Sequence, residues 1–167
     1  MSKLVAAGEF HVGQVGGHTV VKRVTPVVSA APDYAAGDTV GTLLGLDNIA
    51  RKAKGSGRVT GIQVKSLVAV ANPLIAHLFD ADPAVGSTFT DNAAMVIAAA
   101  GKTKLLRSVA LAAFAGQGAG VYWSVNAVDI AYDLAAGRKL WLALEATGAI
   151  NLASASDLEV IVAAQNN

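Results

Sequence analysis

From Arg58 onward the chain alternates in steps of two. Ile62, Val64, Val68 and Val70 fall on one side with the small Ser66 between them, while Gln63 and Lys65 fall on the other. Successive side chains of an extended strand point to opposite faces, so this pattern describes a strand with one face buried and one in water. The same period returns in Leu140, Leu142 and Leu144 opposite Trp141 and Glu145, and again in Leu158, Val160, Val162 and Ala164 opposite Glu159 and Gln165. No stretch offers a sustained helical period to compete with it.

Turn chemistry cuts these runs into short lengths. Pro26 and Pro32 bracket one segment, and the Pro32 to Asp38 stretch leads into a predicted strand over Val40 to Ile49, with bulges at Gly41 and Gly45. Gly55-Ser56-Gly57 suits a hairpin tip inside the loop Arg51 to Arg58. Leu74 to Asp80 forms the next strand and breaks at Asp80, Asp82 and Pro83. Asp91 to Gly101 predicts a short helical connection or an irregular strand. Lys104 to Phe114, apolar on both sides apart from Arg107, predicts a strand covered on both faces, either by the domain or by a neighbour. Val121 to Leu134 alternates in two registers, which predicts a bend near Ala127. Seven to nine such strands imply an all-β fold, an antiparallel β-sandwich of jelly-roll or immunoglobulin-like topology with at most one short helix. At 167 residues a single domain is expected, the sandwich over 25–167 preceded by an extended N-terminal arm over 1–24, in which His18 to Val24 has strand composition.

Thirteen basic residues against twelve acidic ones give a net charge of +1, so no global field draws the chain to nucleic acid or an anionic membrane. Charged residues make up 15% and apolar ones 53%, with a mean hydropathy of +0.48. So few charges predict apolar surface covered by partners. Ser108 to Val128 carries one charge-free run, but Gly116, Gly118 and Gly120 divide it, which fits two strands better than a membrane-spanning helix. The first residues lack the apolar core of a signal peptide, which implies a cytoplasmic start. There is no cysteine, hence no disulfide or thiolate chemistry.

Residues fit for catalysis are sparse. His11, His18 and His77 lack metal-ligand spacing, and no serine stands in a G-x-S-x-G elbow. Asp80, Asp82 and Asp91 form the densest carboxylate group, but their spacing is not that of a calcium loop, and acceptance of backbone N–H bonds in turns is the expected role. No catalytic residue, metal or cofactor is expected. Arg51, Lys52, Lys54 and Arg58 put four positive charges in eight residues and are the candidate partner-contact residues. Trp123 and Trp141 are the side chains a carbohydrate-binding sandwich would use.

Four segments carry a resemblance: TPVVSAAPDYAAGDTVG at Thr25 to Gly41, LGLDNIAR at Leu44 to Arg51, LFDADP with TFTDNAA at Leu78 to Ala94, and ASASDLEVIV at Ala153 to Val162. In these the chain resembles the head decoration, or cement, proteins of tailed bacteriophages. The resemblance implies a non-enzymatic structural protein that forms homo-oligomers, expected as trimers. Such a protein binds the outer surface of the virion head and stabilises the expanded, DNA-filled shell by bridging major capsid protein subunits. A tail or baseplate sandwich and a carbohydrate-binding module are the alternatives.

Overall fold

The computed structural model describes residues 18–70, 72–111, 115–116, 122–155 and 157–167. Nine strands run in the order β1 (His18–Val24), β2 (Leu44–Leu46), β3 (Ser56–Ser66), β4 (Leu74–Phe79), β5 (Leu105–Ala110), β6 (Ala115–Gly116), β7 (Tyr122–Asp133), β8 (Leu140–Ala146) and β9 (Leu158–Asn166). A single helical turn, α1 (Ala99–Lys102), stands between β4 and β5.

The strands form two antiparallel sheets, β1-β9-β3-β7-β6 and β2-β8-β4-β5. Apart from the two-residue β6, the pairing is nested: first strand with last, second with second-last, then β3 with β7 and β4 with β5. That is a long hairpin rolled into two facing sheets, the jelly-roll arrangement. Of the two topologies compatible with the sequence, the strand order selects this one.

The core lies between the sheets because alternation delivers one face of each strand to it. In β3, Val59, Ile62, Val64 and Ser66 are buried; in β8, Leu140, Leu142 and Leu144; in β9, Leu158, Val160, Val162 and Ala164. The bend expected near Ala127 is a bulge. Val59 pairs with Ile130 and Gly61 with Ala127, so Val128 and Asp129 oppose the single residue Thr60. One extra residue turns the side chains that follow to the other face, which explains the change of register in the sequence.

Several expectations are corrected. The strand foreseen over Val40 to Ile49 shrinks to Leu44–Leu46, because Gly41 takes a left-handed φ of +77° and turns the chain. Gly55 to Gly57 is not a hairpin tip: β2 and β3 lie in different sheets, and the loop between them crosses the sandwich edge. Of the two alternatives for Asp91 to Gly101, the irregular strand describes most of it, with isolated bridges at Asp91, Ala94 and Val96, and helix is confined to α1. Within the domain β5 is not covered on both faces: it is the edge of its sheet, with Arg107, Ser108 and Ala110 exposed. Of the segment set apart as an arm, His18 to Val24 is β1, paired residue by residue with β9, while residues 1–17 lie outside the described residues. The Gly-rich stretch 117–120 lies outside them too, although β6 and β7 on either side of it pair antiparallel.

Candidate functional site

Among the described residues, several places gather polar side chains from distant parts of the chain. At the first, Asp91 accepts three hydrogen bonds. Ser29 Oγ donates to Oδ2 at 2.5 Å, while the Tyr34 hydroxyl and the Gly41 N–H donate to Oδ1, both at 2.6 Å. The Tyr34 hydroxyl also accepts the N–H of Ser29 at 2.8 Å. Around this carboxylate the backbones lace together. Thr39 N–H donates to Ala93 O, Asn92 N–H to Thr39 O, and Met95 N–H to Gly37 O. Asn92 takes a left-handed φ of +55°, with its side chain donating to Pro32 O at 2.7 Å. Burial, followed by the bond to the Asp91 carboxylate, raises the Tyr34 phenol well above its ordinary range.

This carboxylate acts as a structural hub. Asp82, likewise, accepts the N–H of Ala84 at 2.9 Å within its turn, and Asp80 is held through its own N–H to Lys104 O. Phe79 and Phe89, at the two ends of this connection, meet edge to face with centroids 5.9 Å apart. The segments Thr25 to Gly41 and Leu78 to Ala94 thus meet at one knot. A third, Ala153 to Val162, touches the first of these where Val28 N–H donates to Ala155 O.

The second place is the basic end. Arg51, Lys52 and Lys54 are all exposed on the β2–β3 loop. That loop is fastened to the β7–β8 turn: Lys54 N–H donates to Gly137 O at 2.8 Å, Ile49 N–H to Arg138 O at 2.9 Å, and Arg138 Nε to Ala50 O at 3.0 Å. Lys54 and Gly137 both adopt left-handed backbone at this junction. Arg138 therefore joins the cluster, a residue the sequence did not single out because nothing basic but Lys139 stands beside it. Arg58 leaves it. It sits on β3 and pairs with Asp129 across the strand at 2.9 Å.

His77 is buried on β4 with both ring nitrogens engaged, Nε2 to Glu145 Oε2 at 2.7 Å and Nδ1 to Ser108 Oγ at 2.8 Å. The carboxylate accepts from Nε2, which fixes the orientation of the ring. The three residues lie on β5, β4 and β8 and tie the strands side by side. Trp141 packs beneath the Lys139 ammonium, 4.5 Å from the ring centroid, and Lys139 meets Asp47 at 2.8 Å. One ring face is thus already taken. The Trp123 side chain and His11 lie outside the described residues.

No protein-family model matches the chain, and no curated protein matches it. Among solved structures, one of the infectious bursal disease virus Gx strain aligns over 90% of this chain and 40% of that one, at 14% identity and a TM-score of 0.26. The chain spans less than half of that protein's length. A likeness at that level bears on neither fold nor function, and the jelly-roll assignment stands on the strand order alone.

Proposed function

We propose that the protein is a structural component of a tailed-phage virion. In this reading it binds the outside of the head as a homo-oligomer and stabilises the expanded shell by bridging major capsid subunits. The observation that carries the reading is the Asp91 knot. It joins two of the four segments that resemble head decoration proteins, distant in sequence, and a third reaches the first of these through the Val28 N–H to Ala155 O bond. The resemblance therefore follows a three-dimensional motif rather than scattered turns.

The composition is compatible with that role. A chain with only 15% charged residues and an edge strand, β5, with exposed positions suits contact with neighbours on several sides. A ligand that binds only the expanded shell stabilises that form by mass action, and many symmetric copies add avidity. Imaging the parent particle with the protein present and absent tests the reading. Density at regular positions on the outer surface of the head, lost when the protein is omitted, is expected; density on the tail or baseplate instead would refute it.

A further inference from the structure

We propose that the basic end formed by Arg51, Lys52, Lys54 and Arg138 is a docking surface for an acidic polypeptide segment. The inference goes beyond the virion reading and does not depend on it.

The charge balance is local. Arg51, Lys52, Lys54, Arg138 and Lys139 stand against Asp47 and Asp133 at this end, five cations to two anions, a surplus of three. The whole chain carries +1, so everything outside this end is net negative by two. Lys139 is committed to Asp47 and to the face of Trp141. Among the described residues, Arg51, Lys52 and Lys54 have no anionic partner within 4 Å, and Arg138 uses only its Nε, toward Ala50 O. The terminal nitrogens of Arg138 therefore remain for a carboxylate, the geometry in which arginine pairs best.

The platform is also preorganised. Backbone bonds from Ile49 and Lys54 to the β7–β8 turn hold both loops in one arrangement, so less ordering entropy opposes binding. Arg58, equally basic and close in sequence, already has an anionic partner in Asp129. Carboxylates fit this end better than nucleic acid does. Neither loop carries an aromatic side chain on which bases would stack.

The probe is a fluorescein-labelled decaglutamate peptide, followed by anisotropy with the full chain at low ionic strength. Saturable binding is expected, lost as salt rises toward about 0.5 M, where screening confines charge interactions to a few ångströms. The triple variant Arg51→Gln, Lys52→Gln, Lys54→Gln changes only exposed side chains and should weaken binding by about tenfold or more, with Arg138→Gln weakening it by about threefold. Arg58→Gln should leave it unchanged. Absence of binding, equal loss with Arg58→Gln, an unaffected triple variant whose thermal melt matches the parent, or tighter binding of a DNA duplex than of the peptide would each overturn the proposal.

Discussion

The Tyr34 hydroxyl donates to Asp91 Oδ1 at 2.6 Å, joining two residues 57 positions apart. Tyr34 is 1% exposed, so its hydroxyl has no water to fall back on. Hydrogen bonds to charged groups contribute about 1.5 to 3 kcal/mol each, and an abandoned buried partner costs a similar amount. Asp91→Ala, which strands three donors, should lower stability by about 3 kcal/mol, and Tyr34→Phe by about 1.5 kcal/mol. Urea unfolding should show the midpoint fall with an unchanged slope, and the double variant should lose less than the two single losses added together. Strict additivity would mean that the two groups do not act as a unit.

The same tyrosine sets an alkaline limit. Its folded-state pKa is raised, chiefly by burial, and burial also raises that of Tyr132. The fold therefore favours the protonated phenols. The stabilisation is complete below the unfolded phenol pKa of about 10 and declines as pH climbs from there toward the raised folded values. Chemical denaturation between pH 8 and pH 11, taken as about neutral and about one unit past the free phenol, should show stability falling only in the upper part of that range. Tyr34→Phe should flatten the fall. An unchanged profile in that variant would assign the alkaline loss to other groups.

On the outer side of the four-stranded sheet, the His77 ring links Ser108 and Glu145. Truncating His77 to Ala removes both bonds and opens a cavity, for an expected loss of about 3 kcal/mol, whereas Ser108→Ala, at an exposed position, should cost about 1 kcal/mol or less. Equilibrium unfolding of the two variants separates these values. Equal and negligible losses would show that β5 is held by its backbone ladder alone.

Glycine substitutions divide by surroundings. A Cβ at Gly41 would stand 2.8 Å from Pro26 Cβ, at a φ of +77°, whereas one at Gly137, at +65°, meets nothing within 4 Å. Gly137→Ala should cost only the left-handed backbone penalty of about 1 to 2 kcal/mol. Gly41→Ala adds a clash beside the Asp91 bond and should cost about 3 kcal/mol or more. Thermal melts that rank them the other way would contradict the packing described around Pro26.

How much of this was legible in the sequence depends on distance along the chain. The faces of β3, β8 and β9 can be read directly, because a half-buried strand writes its environment into every second residue. The bulge opposite Thr60 shows as a change of register for the same reason. The pairing of β1 with β9 does not, since nothing near His18 specifies a partner near Asn166. Asp91 was visible as a turn acceptor, but its hydroxyl donors stand 57 and 62 positions away. At the basic end, the run Arg51 to Arg58 announced itself as a cluster. Its actual membership depends on which loop lies beside it and on Asp129 across the strand, and so Arg138 entered and Arg58 left.

The most direct measurement for the central claim is co-sedimentation of the purified protein with empty heads that lack it, prepared in compact and in expanded form. The account predicts an oligomer that binds the expanded heads to saturation, ignores the compact ones, and raises the temperature at which the expanded heads rupture. A monomer that stays in the supernatant with both forms would contradict it.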